Sequence, residues 1–86
     1  MGKFEIYVVL IPIKYGNSRK VCEHIENTKW DSVIGLRKHI ETECNVKEND
    51  KFHISILSLT NFMDAVNNQE FDDLSKYFIS YVQIHK

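Results

Sequence analysis

Residues 3–13 read KFEIYVVLIPI, and this stretch decides the expected fold. Its β-branched and aromatic residues predict a β-strand. Side chains alternate across a strand, so its two faces carry Phe4, Ile6, Val8 and Leu10 on one side and Tyr7, Val9, Ile11 and Ile13 on the other. Both faces are apolar, which indicates a central strand or a strand whose second face meets a partner. Pairing should weaken near Pro12, which has no amide hydrogen to donate.

A turn signal, YGNS at residues 15–18, separates this strand from residues 19–27. As a helix, residues 19–27 have a short apolar stripe of Val21, Cys22 and Ile25, and as a strand they alternate between two faces. We expect the strand, paired with the first one as a hairpin. Helix-capping residues at both Ser18 and Thr28 would otherwise crowd two helices into one short span.

Two helices and two strands complete the prediction. The longer helix spans residues 28–44, with a cap at residue 27 or 28 and an apolar stripe that includes Leu36 and Ile40. Alternation of apolar and polar residues predicts strands at 51–58 and 76–85. Between them, a short helix runs from residue 58 or 60 to about residue 67. On the longer helix, Arg37 is expected to flank the apolar stripe and to pair with Glu41, rather than to hold an anion.

The fold prediction is a single α+β domain over residues 1–86, because a chain of 86 residues allows no second core. The order β-β-α-β-α-β predicts two layers, a four-stranded mixed sheet with helices on one face. This order resembles the β-grasp arrangement of ubiquitin-like modules, in the order of elements and without a shared motif. The resemblance implies a shape and no particular activity.

Charge and composition argue against several classes of function and indicate a source and a cellular location. Eleven Lys and Arg against twelve Asp and Glu leave a net charge of -1, which argues against a chain that coats nucleic acid or an anionic membrane. Scarce Ala, Gly, Pro and Arg beside abundant Ile and Lys favour a bacterial or phage source. No secretory signal pattern and no apolar run of about 20 residues is present, so we expect a cytoplasmic protein with reduced thiols at Cys22 and Cys44.

The residues that carry chemistry do not form a known motif. Cys22 and His24 would share a strand face, but the remaining ligand types lie on separate elements without zinc spacing: His39, Cys44, His53 and His85. The three glycines, Gly2, Gly16 and Gly35, form no phosphate-binding loop, and no Gly-x-Ser-x-Gly elbow occurs. We therefore expect no metal, no cofactor and no catalytic residues, and predict that the protein is not an enzyme.

The expected function is binding. If the helices cover the sheet face that bears Phe4, Ile6, Val8, Phe52, Ile54 and Ile56, the opposite face is open and presents Tyr7, Val9, Ile11, His53, Leu57, Ile79 and Tyr81. An exposed apolar face of this kind is typical of an interface. The sequence thus predicts a small adaptor that binds a protein partner, or a second copy of itself as a homodimer, through this face or through a strand edge.

The alternative function is nucleic-acid binding. Lys14, Arg19 and Lys20 would concentrate at the tip of the first hairpin, away from acidic residues such as Asp72 and Asp73. Such a basic patch would suit an accessory protein of a bacterial or phage mobile element. No membrane partner is expected.

Overall fold

The computed structural model describes residues 2–86, with side chains at every position except 51 and 52. Its elements, in chain order, are β1 (Phe4–Pro12), α1 (Ser18–Glu26), α2 (Val33–Glu43), a 3₁₀ turn (Glu48–His53), β2 (Ser55–Ser58), α3 (Leu59–Asn67), a second 3₁₀ turn (Leu74–Lys76) and β3 (Tyr77–His85). The α+β class is confirmed. Among the described residues, no helix is long and apolar enough to cross a membrane.

The described strands form one antiparallel sheet in the order β2-β1-β3. The register places Val9 opposite Ile56 on one side and opposite Ser80 on the other. β1 is therefore central, as its two apolar faces predict. The ladder with β3 continues to Pro12 at the end of β1, opposite Tyr77.

The prediction that residues 19–27 form a strand is wrong, because residues 18–26 form helix α1. The helical spacing brings Val21, Cys22 and Ile25 to one buried side, and the strand spacing would have split them between two faces. The first hairpin therefore does not exist. The sheet has three antiparallel strands in the described chain, not four mixed ones, and the β-grasp-like order is not found.

Helix α2 begins at Val33 instead of near residue 28. Ser32 is its cap, since its side-chain oxygen accepts from the Gly35 amide at 3.0 Å. The preceding Trp30 leaves the helical path and bridges to β3 in parallel orientation. Its amide donates to the Gln83 carbonyl at 3.2 Å, and its carbonyl accepts from the His85 amide at 2.7 Å. These backbone bonds explain why the helix starts one turn later than predicted.

The helices cover both faces of the sheet, so the prediction of helices on one face is wrong. The Val9 face of β1, which also carries Tyr7 and Ile11, packs against α1 and α2 through Ile25, Leu36 and Ile40. On the opposite Val8 face, Val8 and Leu10 are fully buried. Helix α3 contacts β1 and β2, and its buried Ala65 lines a depression together with Leu57, which pairs with Val8. Helix α3 therefore lies on the Val8 face.

The remaining predictions concern shorter segments. The predicted strand at 51–58 is a 3₁₀ turn in its first part and β2 in its second, and the side chain of Phe52 lies outside the described residues. The predicted helix ending near residue 67 is confirmed, with Ser58 as its cap. The final strand is confirmed as well. The predicted pair of Arg37 with Glu41 is not among the ion pairs of the described residues, and Nη1 of Arg37 donates to the Ile54 carbonyl at 3.1 Å.

Candidate functional site

The seven residues predicted to share an open face are divided between the two faces of the sheet. Val9 and Ile11 are fully buried, and Tyr7 is half-buried against the same core beneath α1 and α2. The prediction that these three residues are open is therefore wrong. The register explains the error, because Ile56 pairs with Val9 and lies on the face of Val9, whereas the prediction placed it with Val8.

The other four predicted residues lie elsewhere. Leu57, Ile79 and Tyr81 are on the Val8 face, where Tyr81 is 57% exposed and the other two are half-buried. His53 ends the 3₁₀ turn before β2 and is exposed. The structure thus keeps Ile79 and Tyr81 together on β3 and separates them from Tyr7, Val9 and Ile11.

The outer edge of β3 is bonded to Trp30 at Gln83 and His85, and its backbone groups at Ile79 and Tyr81 have no partner among the described residues. In an antiparallel strand, alternate residues point their N–H and C=O groups to the same side. Because the Gln83 carbonyl and the His85 amide point outward to Trp30, the backbone groups of Ile79 and Tyr81 also point outward. No described residue bonds to them. At the other edge of the sheet, β2 is four residues long, and short edge strands resist pairing with other chains.

Apolar side chains are exposed on the side of the sheet that carries the Val8 face. Phe4 is 51% exposed, and its ring lies 5.6 Å from that of His85. Helix α3 exposes Leu59, Met63 and Val66, whose spacing places them along one flank of the helix. The exposure of Phe4 was not predicted, because its face of β1 was expected to lie beneath the helices. The spacing of residues 59, 63 and 66 was the signal that could have identified the flank.

The three residues of the predicted basic patch do not share a hairpin tip. Lys14 follows β1, and Arg19 and Lys20 lie in the first turn of α1. The Arg19 Nε lies 3.6 Å from a carboxylate oxygen of Glu23, and the Lys14 Nζ lies 3.9 Å from one of Asp50. Nearby carboxylates reduce the positive potential that a phosphate backbone would meet. The hairpin tip on which the prediction placed these residues does not form, and the basic patch itself stays a prediction.

A pocket of about 460 Å³ lies where β1 ends and β3 begins. A backbone hydrogen bond of 2.9 Å from the Ile13 amide to the Lys76 carbonyl joins its two walls. The described residues that line it are Pro12, Ile13, Lys14, His53, Ser75, Lys76 and Tyr77. No local sequence pattern indicates this pocket, because its residues come from three segments that are far apart in the chain.

Two histidines and a tryptophan form a second cluster between α1 and α2. The ring of His39 lies 5.0 Å from those of both His24 and Trp30. The Nε2 atom of His39 is buried without a hydrogen-bond partner. In the part of the chain with described side chains, no group of three His, Cys, Asp or Glu residues is arranged to hold a metal ion. The ring contacts connect α1, α2 and the segment between them.

Both thiols are buried in the core. Cys22 is 5% exposed and Cys44 is 6% exposed, and neither forms a disulfide. Burial raises the pKa of Cys22, and it raises the pKa of Cys44 to about 11. A thiol attacks as the thiolate, so a raised pKa lowers its reactivity.

We expect neither cysteine to react with a thiol reagent such as Ellman's reagent at neutral pH in the folded protein. Both should react at once in denaturant. Stability should fall as pH rises from the ordinary cysteine value of 9.0 towards about 11, because the unfolded chain loses the Cys44 proton first. Urea titrations across this pH range test the slope, and fast labelling of the folded protein at neutral pH would contradict the buried positions.

No family model, curated protein or solved structure matches the chain. Fold and function therefore have to be inferred from the geometry of the chain itself. Two surface features expose groups that could bind a partner or a ligand. They are the outer edge of β3 and the pocket at the start of the same strand.

Proposed function

We propose that the protein is a non-catalytic binding module that associates with a second copy of itself through the outer edge of β3. The observation that supports the proposal is the row of outward backbone groups at Ile79 and Tyr81, which have no partner among the described residues. Strand addition at such an edge supplies main-chain hydrogen bonds without any change of fold.

Residues 77–81 of two copies can pair with each other as antiparallel strands. A two-fold axis at Ile79 would relate the two copies. Each Ile79 would donate to and accept from the Ile79 of the second copy. Each Tyr81 N–H would donate to the Tyr77 carbonyl of the second copy. The Tyr77 amide is bonded to the Leu74 carbonyl, whereas the Tyr77 carbonyl has no partner among the described residues. This register ends before Gln83, where the Trp30 bridge already occupies the edge.

The side chains along residues 77–81 favour the same pairing. The segment reads YFISY and carries no Lys, Arg, Asp or Glu, the residues that commonly block pairing at exposed edges. In the proposed register, Tyr77 of one copy lies opposite Tyr81 of the other on the Val8 face. Aromatic pairs across strands contribute roughly 0.2–1 kcal/mol each. A second copy therefore suits this edge in both backbone and side chains.

Sedimentation velocity over a range of micromolar concentrations tests the proposal. We expect a dimer that becomes at least about tenfold weaker in Tyr81→Lys, because two lysines would be placed beside the pairing strands. Ile34→Lys is the matched control. Ile34 is 79% exposed on α2, on the opposite side of the sheet, and its substitution should leave the dimer unchanged.

Hydrogen exchange tests the register. The amides of Ile79 and Tyr81 should exchange more slowly as the protein concentration rises, whereas the Ile34 region should not respond. A protein that remains monomeric at all these concentrations, with constant exchange at Ile79 and Tyr81, would contradict self-association.

A further inference from the structure

We propose that the pocket between the end of β1 and the start of β3 binds a small organic anion with a flat apolar body and one carboxylate, sulfonate or phosphate group. Its volume of about 460 Å³ falls within the range of small-molecule sites, which runs from about 300 to 1,000 Å³. This site shares Tyr77 with the proposed pairing edge, and its other described lining residues lie outside that edge.

The apolar part of the ligand is inferred from the pocket walls. Pro12 is buried at the end of β1, and Ile13 next to it is 46% exposed. Tyr77 is half-buried and supplies an aromatic ring to the same pocket. Aliphatic and aromatic surfaces of this kind bind a flat hydrocarbon or heteroaromatic group by removing it from water.

The anionic part is inferred from the charged groups of the lining. Two lysines, Lys14 and Lys76, line the pocket, and none of its described lining residues is an Asp or Glu. Two acidic side chains, Asp50 and Asp73, contact residues of this lining. Asp50 lies beside Lys14, and Asp73 accepts from the Ser75 hydroxyl at 2.5 Å and from its amide at 3.0 Å. Asp50 offsets part of the charge of Lys14, but a ligand in the pocket meets Lys14 and Lys76 and no acidic group among the described lining residues.

Lys14 is held in position before any ligand arrives. Its Nζ lies 3.0 Å from Nδ1 of His53 and 3.9 Å from Oδ1 of Asp50. The same atom lies 5.4 Å from the centroid of the Tyr15 ring, within range of a cation–π interaction. A restrained cation loses less side-chain entropy when it binds an anion than a free lysine does.

The contact with Lys14 also sets the role of His53. An ammonium group can only donate, so this contact forms in the His53 tautomer whose Nδ1 accepts and whose Nε2 carries the hydrogen; Oδ1 of Asp50 lies 3.5 Å from the same Nδ1. Nε2–H is then a second donor for an anion, beside the remaining N–H groups of Lys14. Together with Lys76, these groups form a cationic rim above an apolar wall.

The test uses indole-3-acetate as the probe and indole-3-acetamide as its neutral counterpart, observed by NMR on the ¹⁵N-labelled protein. We expect saturable shifts of the Ile13, Lys14, Lys76 and Tyr77 amides with indole-3-acetate, and binding at least tenfold weaker with the amide. Inorganic phosphate alone should also bind at least tenfold more weakly, because it leaves the apolar walls uncovered.

Variants identify the groups responsible. Lys14→Ala and Lys76→Gln should each weaken indole-3-acetate binding at least threefold, and the double variant at least tenfold. Lys38→Ala, an exposed position on α2, is the control for charge. Tyr81→Lys should bind normally, which separates this site from the pairing edge. Equal affinity for the acid and the amide, an unchanged double variant, or an absence of saturable shifts at these four amides would overturn the proposal.

Discussion

Val9→Lys is expected to unfold the protein. Val9 is fully buried on the face of β1 that packs against α1 and α2, and the carboxylate of Glu26 near this face already accepts from the hydroxyl of Ser80, the strand partner of Val9, at 2.7 Å. Burying an unpaired ammonium group there costs several kcal/mol, comparable with the whole stability of a small domain, about 5–15 kcal/mol. Far-UV circular dichroism should show loss of structure at room temperature.

Two controls make this result specific to the Val9 face. Phe4→Lys lies on the same strand but is 51% exposed on the other face, so the protein should stay folded. Val9→Ala removes methyl groups without adding charge and should cost about 2 kcal/mol in a urea titration. A folded Val9→Lys protein with an unchanged urea midpoint would show that α1 and α2 do not cover this face.

Glu23→Pro is expected to lower stability by about 3 kcal/mol or more. Position 23 lies inside α1, where proline removes a helical hydrogen bond and its ring clashes with the preceding turn. The loss should also reach neighbouring segments, because the Ile25 carbonyl of the same helix accepts from Nε1 of Trp30 at 3.3 Å. Urea denaturation followed by tryptophan fluorescence measures the change.

Glu23→Ala is the control for this substitution. It removes the exposed ion pair with Arg19, which is worth a few tenths of a kcal/mol at most, and it retains the helical backbone. Comparable midpoints for Glu23→Pro and Glu23→Ala would be inconsistent with a helix at residues 18–26.

The elements that the sequence predicts well are those with a long or well-capped pattern. The central position of β1 follows from its two apolar faces, and α3 follows from Ser58 as a cap. Residues 19–27 are different, because Val21 and Ile25 fit both a strand face and a helix stripe. Cys22 decides between them, and its burial beside Val21 depends on how α1 packs against β3.

The surfaces were harder to predict than the elements. A strand that is apolar on both faces does not indicate which face the first helices cover. The pattern fits equally well with the Val8 face or the Val9 face against α1 and α2. The free edge of β3 depends on strand order, which is set by pairing between distant segments. The pocket combines Ile13, His53 and Tyr77 from three such segments, and no local spacing connects them.

The central position of β1 has a consequence for how the chain folds. Both neighbours of β1 come late in the sequence, β2 at residues 55–58 and β3 at residues 77–85, so every strand pairing waits for a long loop to close. Folding dominated by such distant contacts is slow. During synthesis, residues 7–11 emerge before either partner strand and stay unpaired while the helices form. They are a β-prone, uncharged stretch, so this interval is when the chain is most exposed to aggregation and to capture by chaperones.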